Sequence, residues 1–157
     1  MQLEEDKFKT LLKTLVYPVC VISGINKEGN PKAITVSSVT SVSFSPQSLL
    51  VCINKNSSFH EILSKGCKLS LSFLNSNQSN IAKICSIENE RFNNDFWNFD
   101  DDGIPSVKDA LGNVLCTISN IVDHGTHAIS ILDVIKINFQ DKNHKALLYG
   151  NQSYIKI

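Results

Sequence analysis

Two polar stretches of the sequence, residues 35–41 (TVSSVTS) and residues 54–60 (NKNSSFH), carry the side chains best suited to bind a ligand. Only one turn and one strand separate them, so they can meet on neighbouring strands. The second stretch leads into a predicted helix, whose free N–H groups and positive dipole end favour an anion. Lys55 adds a full charge and Ser57 a hydroxyl donor. Together they predict a site for one terminal phosphate, although hydroxyl-rich strands and capped helices also occur without ligands.

Other residues that could carry chemistry give weaker signals. The four histidines, His60, His124, His127 and His144, lack the spacing of a zinc site, and a single histidine in a strand is more often structural. The five cysteines contain no Cys-x-x-Cys pair, and most lie in apolar runs. We therefore predict reduced thiols in the core, no disulfide framework and no metal site.

The elements that must position the polar stretches are mainly strands. Apolar residues at helical spacing predict a helix over residues 3–15, and a similar pattern predicts another over 78–85. Ser58 and Glu61 have the spacing of a capping box, which predicts a short helix over 59–64 with Ser58 as its cap. Residues 86–109 are polar with four aromatics, and are predicted to form a long irregular loop. The predicted strands are 19–25, 32–36, 37–45, 49–54, 68–74, 115–123, 127–139, 145–149 and 153–156.

Short connections between successive strands indicate antiparallel pairing and a barrel, in a mostly β domain spanning residues 1–157. No Gly-x-Gly-x-x-Gly is present, which argues against a dinucleotide-binding α/β fold. The formal net charge is zero, so neither a nucleic-acid surface nor a polybasic membrane anchor is expected. The acidic N-terminus does not fit a signal peptide, and no apolar run has the length of a membrane span. These features predict a soluble, cytoplasmic protein.

The two polar stretches also carry a family resemblance. The run ITVSSVTSVSFSP at residues 34–46, followed by LLVCINKNSSFH at 49–60, resembles the flavin reductase family with the FMN-binding split-barrel fold. That family is typified by the reductase components of two-component flavin monooxygenases. The resemblance extends from Val19 to Tyr149 and implies an antiparallel split β-barrel of Greek-key type with a few short helices.

The resemblance also implies a set of site residues. His127 resembles the histidine near the exposed flavin face, where the nicotinamide stacks, and Tyr149 would border the same pocket. Arg91 and Phe92 resemble further flavin contacts from the loop. The other implied flavin-binding residues are Thr35, Val36, Ser37, Ser38, Thr40 and Ser41 for the ring and ribityl chain, with Cys52, Ile53, Asn54, Lys55, Ser57 and Ser58 in the ribityl- and phosphate-binding segment.

The resulting prediction is an NAD(P)H-dependent flavin reductase that uses FMN or FAD, forms a homodimer and supplies reduced flavin to a partner monooxygenase. An electron carrier or sensor of the same fold is the alternative, because Leu132-Asp133-Val134 replaces the family's usual Gly-Glu-Val after the histidine strand. A nucleic-acid-binding barrel fits less well, since the charge is neutral and the strands lack aromatic stacking residues.

Overall fold

The computed structural model describes residues 1–87, 91–140 and 145–156, and antiparallel strands make up most of them. His144, one of the four histidines considered above, lies outside the described residues. The strands are β1 Val16–Pro18, β2 Cys20–Ile25, β3 Pro31–Val36, β4 Val39–Phe44, β5 Gln47–Asn54, β6 Lys68–Phe73, β7 Trp97–Phe99, β8 Pro105–Val107, β9 Gly112–His124, β10 His127–Phe139, β11 Leu147–Gly150 and β12 Ser153–Lys156. The helices are α1 Gln2–Lys13, α2 Ser79–Ser86 and a 3-10 helix, Ser58–Ile62.

A seven-stranded antiparallel sheet forms the main body, with the strand order β3-β2-β6-β9-β10-β5-β4. Its inner face buries one hydrophobic cluster, which includes Ile22, Leu71, Ile118 and Leu132. The two edge strands, β3 and β4, follow each other in the chain and are joined by Ser37 and Ser38. The sheet is therefore open beside the first polar stretch, and the predicted antiparallel, mostly β class is confirmed.

Strand β2 has apolar side chains on both faces because it lies between two cores. Cys20 and Ile22 point into the first cluster, whereas Val19, just before the strand, and Val21 point into a second. The second cluster also contains Trp97 from β7 and side chains of α2. A small sheet of order β1-β11-β12 borders it, with Tyr154 of β12 packed against it.

The predicted irregular loop at residues 86–109 contains a short β-hairpin, β7–β8, so that prediction is wrong in part. The hairpin is held against the main sheet by serine hydroxyls. Ser23 Oγ donates to the Pro105 carbonyl at 2.5 Å, and the Val107 N–H donates to Ser72 Oγ at 3.0 Å. Both serines are buried in β2 and β6, so strands of the main sheet fix the position of the hairpin backbone.

The predicted helices at residues 3–15 and 78–85 are confirmed as α1 and α2, with shifts of one or two residues at their ends. The capping-box prediction is wrong. The helix after β5 is a five-residue 3-10 helix whose N-cap is Ser57, and no side-chain cap hydrogen bond forms. Glu61 is paired instead with Lys32 of β3. None of the helices in the described ranges combines the length and apolar character needed to cross a bilayer.

Candidate functional site

The first polar stretch covers the end of β3 and the start of β4, and the second begins at the last residue of β5, the strand that pairs with β4. Ser38 Oγ donates to the Cys52 carbonyl at 2.9 Å and accepts from the Cys52 N–H at 3.2 Å. This side chain therefore substitutes for a backbone rung between the start of β4 and the end of β5. The Ser37–Ser38 connection is thereby fixed close to Asn54, the last residue of β5.

The two stretches meet only at one end, so the prediction that they come together holds for the start of β4 and not for Thr40 and Ser41. Ser41 pairs with Leu49, and Thr40 with Leu50, which are six and five residues before Lys55. At about 3.3 Å per residue, Ser41 is therefore about 20 Å along the strand from Lys55. Strands β4 and β5 are joined by a turn at Pro46, so residues at about equal distances before and after the turn pair with one another. The position of Pro46 in the sequence therefore already predicts that Ser41 lies far from Lys55.

Lys55 and His127 meet at the turn between β9 and β10. The Lys55 N–H donates to the Thr126 carbonyl at 3.0 Å, and Lys55 Nζ lies 3.5 Å from a carboxylate oxygen of Asp123. On the adjoining strand His127 is directly opposite Asn54, so both side chains lie on one side of the sheet. His127 Nδ1 is 2.8 Å from Thr126 Oγ1, which orients the half-buried imidazole.

A polar cavity of about 250 Å³ lies at the start of β3, next to the 3-10 helix. It is lined by Pro31, Lys32, Ala33, Ser58, Arg91, Phe92 and Asn93. Lys32 was not among the predicted site residues, although it precedes the hydroxyl-rich run by only a few residues in the sequence. Lys32 Nζ lies 2.9 Å from a Glu61 carboxylate oxygen, and the hydrogen bond from Lys32 lowers the pKa of Glu61. The ion pair with Glu61 therefore holds the ammonium group of a residue that lines the cavity.

Two of the predicted hydroxyl groups donate within the fold, whereas a third belongs to a residue that lines the cavity. Thr35 Oγ1 donates to the Ala82 carbonyl at 2.7 Å, and Ser57 Oγ donates to the Asn54 carbonyl at 2.8 Å. These two hydroxyls retain only acceptor capacity. Ser58 lines the cavity and is not a cap, and among the residues that the structure describes its hydroxyl forms no hydrogen bond, so it can contact a ligand. Since the adjoining helix is so short, an anion here would be held by the side chains of Lys32 and Ser58 more than by a helix dipole.

Arg91 and Phe92 reach the cavity from a segment that is anchored to β3. Arg91 is only 7% exposed and donates to the backbone carbonyls of Ala33 and Ile87. Phe92 stacks on Trp97 with ring centroids 4.7 Å apart, and the Trp97 indole N–H donates to the Arg91 carbonyl at 2.7 Å. The Arg91 guanidinium therefore positions this wall of the cavity.

The remaining predicted residues are not all available to a ligand. Val36 and Ile53 are 7% and 1% exposed and point into the first core cluster, so only their main chain can make contact. Cys52 alternates with Ile53 and is half-buried on the outer side of β5. Tyr149 is 37% exposed and lies in the separate sheet, in β11.

The donor set fits the phosphate end of a larger ligand. A drug-sized ligand occupies roughly 300–1,000 Å³, so a cavity of about 250 Å³ encloses only part of one. The rest of a flavin would lie outside it, along residues 35–38 and the end of β5. Asn54 and His127 project together there on an accessible side of the sheet. The residues present are therefore compatible with a flavin mononucleotide.

Comparison with known proteins decides the family. A family model described as "Flavin reductase like domain" matches residues 12–157. The chain belongs to this family. The predicted family membership is confirmed, and Arg91, His127 and both polar stretches lie within the matched range.

The family includes curated relatives and a solved structure that cover most of the chain. An FMN reductase (NADH), RutF 2, of Rhizobium rhizogenes is 31% identical over 129 residues, covering 80% of this chain and 74% of that protein. The reductase component of an FADH(2)-dependent resorcinol hydroxylase of Rhizobium sp. is 29% identical over 153 residues, covering 95% and 85%. A crystal structure of a Haemophilus somnus protein described as a flavin reductase superposes with a TM-score of 0.87 at 31% identity, covering 97% of this chain and 98% of that one. The predicted split-barrel fold is thereby confirmed.

Proposed function

We propose that this protein is an NAD(P)H-dependent flavin reductase that binds FMN, or FAD, and catalyses hydride transfer from the reduced nicotinamide to the flavin. One observation carries the proposal: in a chain of the flavin reductase family, Ser58, which lines the cavity together with Lys32, follows Asn54 by four residues, and Asn54 is directly opposite His127 at the end of β5. The names of the two curated relatives, which refer to FMN, NADH and FADH(2), support the same chemistry.

We assign the phosphate to the cavity. Lys32 would supply the charge-assisted hydrogen bond and Ser58 a hydroxyl donor, while Arg91 and Phe92 hold the opposite wall. Ser57 and Lys55 precede this position and would contact the ribityl chain, with Lys55 kept in place by Asp123. This arrangement replaces the predicted phosphate site centred on Lys55.

We assign the ring to the open edge between β3 and β4. Thr35, Ser37 and Ser38, with the main chain of Val36, would border its pyrimidine side, and Asn54, Cys52 and the main chain of Ile53 would lie beneath it. When bound, the flavin supplies the hydride-accepting chemistry. Thr40 and Ser41 lie further along β4 and would reach only the distant end of the ring.

We assign to His127 the role of orienting the nicotinamide. Its ring is on the same side of the sheet as Asn54 and is fixed by Thr126, so it can cover one face of a stacked pair. Hydride transfer depends first on orientation, which is why His127 need not act as an acid or base. Tyr149, in the neighbouring sheet, is proposed to border the coenzyme pocket beyond the nicotinamide.

The deciding experiment is anaerobic mixing of FMN-loaded protein with NADH and, separately, with NADPH. We expect at least one of the two nicotinamides to reduce the bound FMN, which is seen as loss of its yellow colour after mixing. A protein that binds FMN tightly but bleaches with neither would be an electron carrier or sensor, and that result would overturn the proposed activity.

We propose that the protein is a homodimer in which α1 packs on a second copy. None of the residues of α1 is buried, and its apolar face is open, with Phe8 60% and Leu11 61% exposed. Burial of such a face contributes about 25 cal/mol per Å². Sedimentation should give twice the chain mass of 17.4 kDa, and Leu11→Glu should give the monomer, whereas Thr10→Glu on the polar face should not. A monomeric wild-type protein would contradict the proposal.

We further propose that residues 1–157 act as one cytoplasmic domain that delivers reduced flavin to a partner monooxygenase. The family match over 12–157 and the two cores sharing β2 support one domain. The name of the resorcinol hydroxylase reductase component supports the partnership. Reduced flavin released into solution would reach an oxygenase assayed across a dialysis membrane, and a failure to do so would require direct contact between the two proteins.

A further inference from the structure

All three tyrosines of the sequence form one row across the small sheet. Tyr17 of β1 is directly opposite Tyr149 of β11, and Tyr149 is directly opposite Tyr154 of β12. Directly opposed residues project from the same face of a sheet, so the three rings share one side. The Tyr149 and Tyr154 centroids are 5.4 Å apart at 66°. The row is only partly buried and therefore offers aromatic surface to a ligand.

A lysine of α2 adds a positive charge to this row. Lys83 Nζ lies 5.9 Å from the centre of the Tyr154 ring, within the range of a cation–π interaction. Within residues 1–87, 91–140 and 145–156, no carboxylate forms a salt bridge with Lys83. An ammonium group beside Tyr154, at one end of an aromatic row, suits a ligand that has both a planar base and a phosphate.

Helix α2 links the tyrosine row to the proposed flavin site. Ala82, the residue before Lys83, accepts a hydrogen bond from Thr35 at the start of the hydroxyl-rich edge. Consecutive residues of one helix therefore contact both regions. A ligand that extends from the ring-binding edge along α2 would reach Lys83 and then the tyrosines.

We propose that Tyr149, Tyr154 and Lys83 bind an adenosine diphosphate group, with the adenine stacked on the tyrosines and the pyrophosphate near Lys83. This inference deepens the proposed function and rests on it for the identity of the complete ligand. The same group occurs in nicotinamide dinucleotides and in FAD. Stacking of a base on an aromatic side chain strengthens binding by about tenfold, which is sufficient to favour a dinucleotide over its mononucleotide.

The first test is calorimetric titration of the wild-type protein with ADP alone, which requires no hydride transfer. Tyr149→Leu and Lys83→Met should each raise the Kd for ADP about tenfold, and Tyr149→Phe should restore wild-type binding because it keeps the ring. Lys27→Met, which removes an exposed lysine from the β2–β3 turn, is the matched control. Wild-type protein that gives no heat and no saturation with ADP would overturn the proposal.

The second test compares ligands with and without the adenosine half. In Lys83→Met the ratio of KM for NADH to KM for reduced nicotinamide mononucleotide should rise about tenfold if the site holds the nicotinamide coenzyme. If it holds FAD, the ratio of Kd for FAD to Kd for FMN should rise instead. Both ratios remaining at wild-type values would overturn the proposal. ADP binding that weakens in Lys83→Met, in a protein that never oxidises NADH, would support the site and overturn the proposed activity.

Discussion

Lys32 and Ser58 reach the same cavity from two different elements, β3 and the 3-10 helix, and Glu61 fixes the direction of the lysine. The lowered pKa of Glu61 means that this carboxylate keeps its charge below the usual pH range for glutamate. The ion pair is therefore present at neutral pH and is lost only as the pH falls through the lowered pKa of Glu61. A phosphate arriving at the cavity meets a lysine that is already oriented.

Replacing Lys32 should distinguish ligands with a phosphate from those without one. Lys32→Met should raise the Kd for FMN by about tenfold or more, the value of one charge-assisted hydrogen bond. Riboflavin, which lacks the phosphate, should bind the variant and the wild type equally. Fluorescence quenching of each flavin measures both constants, with Lys27→Met as the control. Equal losses for FMN and riboflavin would contradict a phosphate role for Lys32.

His127 should matter for turnover more than for flavin binding. His127→Ala should lower kcat about tenfold and leave the Kd for FMN within about twofold, because the imidazole is expected to orient the nicotinamide. His124 is directly opposite His127 in the same hairpin and exposed, so His124→Ala is the matched control. Stopped-flow reduction of bound FMN provides the rate. If His127→Ala turned over as fast as the wild type, His127 would not be required to orient the nicotinamide.

At the scale of elements, strands and helices with regular periodicity could be predicted from sequence, but the site was only partly predictable. The alternation in β9 and the spacing in α1 fixed those elements to within a few residues. Ser58 was mistaken for a helix cap because the capping-box spacing does not reveal that the segment forms a 3-10 turn. Lys32 was missed because its partner, Glu61, and the cavity both depend on contacts between β3 and the 3-10 helix, which no local pattern encodes.

Gly24 lies in β2 where the strand meets the 3-10 helix. A Cβ atom there would lie 2.6 Å from Leu69 Cδ2 and 2.9 Å from Ile62 Cδ1, both well below van der Waals contact. Gly24→Ala should therefore reduce the free energy of unfolding by about 1–3 kcal/mol through overpacking. Urea denaturation measures the effect. Gly112→Ala is the control, since the atom nearest to a Cβ at that position would be 3.5 Å away. The same urea concentration at the unfolding midpoint for both variants would contradict the prediction.

At the scale of the whole molecule, the burial of the cysteines shows which of them the two cores shield from solvent. All five are free thiols, but the predicted core location holds for only three of them. Cys20, Cys85 and Cys116 are buried, and burial raises the pKa of each to about 12. Their thiolate forms are therefore scarce at neutral pH, and these residues are unreactive while the protein is folded.

A thiol titration with an aromatic disulfide reagent should separate the cysteines by location. Cys52 and Cys67 are partly exposed and should react in the native protein, and the three buried thiols only after unfolding. Saturating FMN should slow the reaction of Cys52, which lies beside the proposed ring position. Cys67, in a different part of the fold, is the internal control. Simultaneous reaction of all five thiols, or FMN protection of Cys67 alone, would contradict these assignments.

The attachment of the β7–β8 hairpin has a consequence for how this family member can diverge. Ser23 and Ser72 form hydrogen bonds with the backbone carbonyl of Pro105 and the backbone N–H of Val107. Because these are main-chain groups, the bonds do not depend on the side chains of the hairpin. Exposed side chains of the hairpin, such as Asn98 and Phe99, can then be replaced without losing these hydrogen bonds. The exposed surface of the hairpin can therefore change its side chains while the main sheet keeps the hairpin backbone in the same position.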